Sequence, residues 1–121
     1  MSIAVKRAYD APEERDGSRY LVDRLWPRGV SKEDAALTDW LKDLAPSDGL
    51  RKWYGHDPDR WGEFKRRYKL ELQAQEKQAR IRELAEEAEN GAVTLVYSSK
   101  ETERNNAVAL KEAVEKARSS D

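Results

Sequence analysis

The sequence has no cysteine, a single histidine and no long apolar run. Without cysteine there can be no disulfide, thiol nucleophile or thiolate metal site, and nothing points to an oxidising compartment. With His56 as the only imidazole and no carboxylate spacing of ligand type, no metal centre is expected and no cofactor is called for. No apolar stretch approaches the roughly 20 residues that span a bilayer, and no apolar signal region opens the chain. The expectation is a cytoplasmic protein without membrane contact. An excess of one charge is missing too, since 23 basic and 24 acidic residues leave a formal net charge of −1. That is not the balance of a dedicated nucleic-acid binder, although it leaves local patches open.

Charge in quantity is what the chain does have: 39% of residues are charged against 38% hydrophobic. An aperiodic chain of this composition would be disordered, but here the apolar residues recur regularly. The pattern suits a small sheet carrying long, heavily solvated helices. At 121 residues the expectation is a single α/β domain spanning 1–121, with a short, mainly parallel central sheet packed by amphipathic helices. Nothing in the sequence specifies an oligomeric state.

Chemistry concentrates in Tyr20–Lys32, which reads YLVDRLWPRGVSK. Leu21 and Val22 belong to a strand that ends near Asp23, and Gly29 with Ser31 marks a loop before a helix. In open α/β sheets, ligands collect beyond the carboxyl ends of the strands. Asp23, Arg24, Trp26 and Arg28 would stand at that edge. Pro27 stiffens the turn, and a stiff turn can hold a guanidinium fork for a phosphate or carboxylate. The plainer reading is that Asp23 pairs with an arginine to brace the loop while Trp26 covers the core edge.

Two further strands are expected. Ile3–Val5 leaves Arg7 and Tyr9 at its carboxyl end, and Ala92–Tyr97 (AVTLVY), apolar and β-branched, reads as the central strand. The Asp10–Ser18 turn allows the first two strands to pair antiparallel or to run parallel, and the parallel arrangement is preferred. Ser31 predicts a short helix, after which Leu37, Trp40, Leu41 and Leu44 recur at helical spacing. Ser47 and Asp57-Pro58 predict two more helix starts, the second opening the stripe Trp61, Phe64, Tyr68 and Leu72. Ile81 to Ala88 predicts another helix closed by Asn90-Gly91 in a left-handed cap, and Thr102 is read as the cap of the last helix.

The third strand ends in Ser98, Ser99 and Lys100, ahead of a helix N-terminus that favours anions. With Arg7, Tyr9, Arg24, Trp26, Arg28 and Asn105, these residues are the candidate ligand contacts. Asp23 and His56 are the candidate acid–base groups if the pocket is enzymatic. Taken singly, each serine is as readily a cap, Lys100 a solvated cation, Asn105 a structural bond and His56 a turn residue. The alternative reading is a non-catalytic module for nucleic acid or protein. It would use Trp53, Tyr54, Arg60, Trp61 and Lys65–Arg67, which interleave rings and cations. No helix-turn-helix with a basic recognition helix is present.

The segments KRAYD, VDRLWPRGVSKE, WLKDLAPS, LRKWYGHDPDRWGEFKRRYKLEL and VTLVYSSKETERNNAVAL resemble the YeaO-like branch of the domain of unknown function 488 across nearly the whole chain. The resemblance implies a compact α/β fold and carries over no established activity. Its motif residues fall on Arg7, Tyr9, Asp23, Arg24, Trp26, Pro27, Arg28, Trp40, Pro46, Ser47, Trp53, His56, Asp57, Tyr97, Lys100 and Asn105, among others. Where relatives commonly carry His-Asn, this chain has Arg104 and Asn105. Ser98 and Ser99 stand in place of two small apolar residues.

Overall fold

Ala92–Tyr97 forms β4, which lies between two parallel neighbours and is buried from Val93 to Tyr97. A computed structural model describes residues 2–119. In it β1 (Ser2–Arg7), β2 (Ser18–Leu21) and β3 (Asp39–Trp40) complete an all-parallel sheet of order β1-β4-β2-β3. The helices are α1 (Lys32–Ala35), α2 (Asp48–Tyr54), α3 (Trp61–Glu71), α4 (Gln75–Asn90) and α5 (Asn106–Ser119). The expected α/β domain is thus what forms. The first two strands run parallel without pairing, because β4 lies between them.

Alternation along the strands divides the core in two. Val93, Leu95, Tyr97, Tyr20 and Val22 face the helical layer, where they meet Ile81, Leu84, Leu110 and Val114. On the other face Leu21, Val96 and Ala8 are covered by connections carrying Trp26, Leu37 and Trp40. Among the described residues, none of α2 to α5 contributes to this smaller cluster. The ten-residue link from β1 to β2 is held there by polar contacts instead. Asp16, 6% exposed, accepts hydrogen bonds from Lys6 Nζ at 3.1 Å, Arg19 Nη1 at 2.6 Å and the Glu13 amide at 2.9 Å. Its own carbonyl accepts from Thr94 Oγ1 at 2.8 Å.

Capping chemistry sets most helix starts. Ser31 accepts from the Asp34 amide, Ser47 from Leu50 and Asp57 from Asp59, as expected of these side chains. Phe64, Tyr68 and Leu72 then sink into the core, and the buried Tyr68 hydroxyl donates to the Leu44 carbonyl at 2.5 Å. Three expectations are corrected. The apolar series from Leu37 to Leu44 is no helix: it is the edge strand β3 followed by a 3-10 turn at Lys42–Leu44, drawn in by Leu41 N–H to the Leu21 carbonyl at 2.8 Å. Gly91 is extended at φ −177° and is no left-handed cap. The last helix is capped by Asn105, whose Oδ1 accepts from the Val108 amide at 3.0 Å, and Thr102 lies outside it. Among the described residues, no helix is long and apolar enough to cross a membrane.

Candidate functional site

Because all four strands point the same way, Arg7, Asp23 and Ser98 leave the sheet at one edge. Asp23 binds this edge together. Its Oδ2 accepts from the Ser98 amide at 2.9 Å and the Ser98 hydroxyl at 2.7 Å, while Oδ1 accepts from Asn106 Nδ2 at 3.0 Å. Arg7 secures the same exit loop from the other side, donating from Nε to the Ser99 carbonyl at 2.8 Å and from Nη2 to that of Ser98 at 3.2 Å. Its guanidinium lies over the Tyr9 ring, and the Tyr9 hydroxyl donates to the Arg28 carbonyl at 2.9 Å. Strand ends and central loop therefore form one hydrogen-bonded frame.

Beyond the frame opens a cleft of about 450 Å³ between the central loop and α2. Arg24, Arg28, Arg51 and Lys52 line it, and Asp23 is the one carboxylate in its wall. Arg24 spends Nε on the Pro46 carbonyl at 3.0 Å. Arg28 is exposed, and its side chain makes no hydrogen bond or ion pair among the described residues. Arg51 reaches Asp48 through Nη2 at 2.6 Å, but its Nε is shut off from solvent with no acceptor. A buried donor left unpaired costs about 1–3 kcal/mol. Trp26 braces the loop by donating from Nε1 to the Val30 carbonyl at 2.6 Å, with its ring edge-on to Trp40.

His56 closes the far side. It adopts a left-handed backbone at φ 59°, its ring meets Tyr54 edge-on, and Nδ1 lies 3.4 Å from Ser99 Oγ. Ser99 also accepts from the Glu101 amide at 2.9 Å. Burial, and after it the nearby Glu101 carboxylate, pushes the Tyr54 hydroxyl above its ordinary pKa. Its proton is committed to the Arg104 carbonyl at 2.6 Å.

Of the residues singled out from sequence, Tyr9, Asp23, Arg24, Trp26, Arg28, His56, Ser98 and Ser99 meet in the cleft. Arg7 stands behind it as a brace, Asn105 is buried as a helix cap, and Lys100 is exposed outside the lining. Sequence reasoning missed Arg51 and Lys52. Their only local signal is their place one turn after the Ser47 cap, and nothing local says that α2 packs against the strand ends. Among the described residues, no three histidine or carboxylate groups are placed to share a metal ion.

A family model described as the inactive DUF488-N3 subclade matches residues 2–121. The chain belongs to this subclade. Within the family it is similar to the uncharacterized protein YeaO of Escherichia coli K12, 43% identical over 110 residues that cover 91% of this chain and 94% of YeaO. It is also similar to the uncharacterized protein Rv3073c of Mycobacterium tuberculosis H37Rv, 40% identical over 108 residues and 89% of either chain. No solved structure matches.

One consequence for this family member concerns Asp23. Asparagine there keeps one acceptor oxygen but must turn its NH2 toward either the Ser98 donors or the Asn106 amide, so D23N is expected to cost about 2 kcal/mol in chemical denaturation. An unchanged midpoint would mean that Asp23 is not the fastener of the strand ends.

Proposed function

We propose that the protein binds a small, multiply charged oxyanion, phosphate or a phosphorylated metabolite, in the cleft beyond β2 and β4, without chemically transforming it. One observation carries the reading: four cationic side chains surround a wall whose one carboxylate is already occupied by three donors. Arg51 and Lys52 share Asp48 at 2.6 and 3.1 Å, but Arg24 and Arg28 stand on the braced loop without an acidic partner, which is what oxyanion recognition requires, and arginine forks add bidentate geometry. Binding without turnover is favoured because Asp23, the nearest acid–base candidate, is spent on the frame and because the family model is described as inactive.

Thermal shift with inorganic phosphate, pyrophosphate and sugar phosphates tests this directly. Saturation at a hundredfold over Kd adds about 2.7 kcal/mol, several degrees for a domain of this size. Arg28→Ala should leave the ligand-free melting temperature unchanged, since an exposed arginine contributes little to stability. It should weaken the anion by about 1.5–3 kcal/mol, and lysine should restore only part of that. Equal binding by the parent chain and R28A, or no shift with any of these anions, would end the proposal.

A further inference from the structure

The cleft beyond β2 and β4 is larger than a bare anion needs. At about 450 Å³ it falls in the range of pockets that hold whole small molecules, whereas a phosphate ion takes the room of a few waters, roughly 100 Å³. Part of its lining is not ionic. Tyr9 and Leu25 are 48% and 58% exposed, and among the described residues only one other large apolar side chain, Leu70, is as open to solvent. Such side chains need no explanation when scattered singly, but two of the three line this one cleft, which is where a ligand would cover them.

Tyr9 is also the one exposed tyrosine or tryptophan among the described residues, and its ring is fixed. The hydroxyl donates to the Arg28 carbonyl at 2.9 Å, and the Arg7 guanidinium lies 5.0 Å from the ring centroid. Arg7 is itself held, because its Nε and Nη2 are tied to the Ser99 and Ser98 carbonyls. One face of the ring therefore has its cation while the side chain stays half open to solvent. A ring pinned at its tip and on one face loses little freedom when a second ring stacks on the other. Trp53, the ring with the most cations about it, is the poorer platform: it is half-buried, with Arg60 and Arg67 over it at 5.2 and 4.2 Å. Beside Tyr9, Ser98, Ser99 and His56 add hydroxyl and imidazole groups to the lining, with Ser99 Oγ and His56 Nδ1 3.4 Å apart.

We propose that the anion held in this cleft is a free nucleoside phosphate, its phosphate on Arg24 and Arg28 and its base stacked on the open face of Tyr9. The inference rests on the anion reading of the cleft and adds the class of ligand. Three chemistries line the cleft, and a nucleotide uses all of them: phosphate for the guanidinia, sugar hydroxyls for the serines and His56, and a flat base for Tyr9 and Leu25. Inorganic phosphate answers to the first alone, and a sugar phosphate to the first two. Asp23 and Asn106, the side chains that could read a base edge, are spent on each other. The base is therefore held by its face. Stacking tolerates any base, so AMP and GMP should bind alike, ahead of the pyrimidine nucleotides, whose smaller rings stack less strongly.

Isothermal titration of the intact chain with AMP, ribose 5-phosphate, inorganic phosphate and adenosine tests the assignment. AMP should bind about tenfold more tightly than ribose 5-phosphate, the effect expected of stacking one base, and adenosine should bind more weakly than AMP. Tyr9→Ala should bring the ratio of the AMP and ribose 5-phosphate affinities close to one, while Tyr9→Phe, which keeps the ring, should preserve it. The ratio is the readout because losing the hydroxyl bond to the Arg28 carbonyl can move the loop, and that weakens both ligands together. Arg28→Ala should likewise weaken both by a similar factor and leave the ratio intact. Equal affinities of AMP and ribose 5-phosphate for the parent chain would overturn the nucleotide assignment and leave the anion reading standing. No binding by any of the phosphates would remove the anion reading and this inference with it. An AMP preference that survives Y9A would overturn the stacking role of Tyr9. A 5′-phosphorylated hexanucleotide should bind no tighter than AMP, and tighter binding would give the cleft to a strand end and overturn the proposal.

Discussion

Replacing Gly17 with alanine is expected to lower the melting temperature by about 10 °C or more. Gly17 ends the link from β1 at φ +65°, and an added Cβ would lie 2.2 Å from the carbonyl oxygen of Ala92. That oxygen belongs to the first residue of β4, so neither partner can move aside without disturbing the sheet. Positive φ at a residue with a side chain adds strain to the overlap, and together they should cost roughly 3–5 kcal/mol. Scanning calorimetry of G17A beside the control Gly49→Ala, where nothing beyond its own chain neighbours and helix backbone lies within 4 Å of the added carbon, reads the difference. Similar melting for the two variants would mean that the link does not press against β4.

Removing the Asp16 carboxylate should be comparably severe. Asp16→Ala leaves Arg19, 3% exposed, and the ammonium of Lys6 without their shared anion, and breaking such a buried cluster costs about 3–5 kcal/mol. The effect has a pH signature. Burial alone would raise the pKa of Asp16, but the Glu13 amide, Lys6 and Arg19 outweigh it and hold the carboxyl below its ordinary value. The folded state therefore gains stability from this group above the unfolded pKa of about 3.9 and loses it as pH falls from there through the lower folded value. In urea titrations from pH 6 downward, the parent chain should lose stability below about pH 4. Asp16→Asn, already destabilised, should show a shallower acid decline. Equal slopes would remove Asp16 from the acid response.

These two positions bear on the cleft through the sheet. The β1–β2 link sets where β2 begins, and β2 delivers Asp23 to Ser98 at its other end. A loosened Gly17 or Asp16 would reach the cleft as a shift of that frame, whereas Arg28 touches the frame only through its backbone carbonyl. Binding measured in D16N at a temperature where it remains folded should therefore fall, while R28A changes binding without changing stability.

Much of this protein was decided by signals a few residues long. The nearly continuous apolar, β-branched run Ala92–Tyr97 reads as a strand covered on both faces, and the spacing of Phe64, Tyr68 and Leu72 as one side of a helix, and both form as read. Ser31, Ser47 and Asp57 announced their helices because a cap needs only a side-chain oxygen and an amide two or three residues on. The crowding of Asp23, Arg24, Trp26 and Arg28 located one wall of the cleft for a similarly local reason. What the sequence could not decide depends on groups distant along the chain. Arg19, 3% exposed, is buried only because Asp16 and the Ala35 carbonyl close over it, and Trp40 reads as helical until Leu21 draws β3 to the sheet. Arg51 and Lys52 become part of the cleft only because α2 comes to rest beside the strand ends. Caps and periodicity are energies between near neighbours, so a single segment determines them. Burial of a charge, pairing of an edge strand and assembly of a cleft are energies between segments, and only the folded chain brings those together.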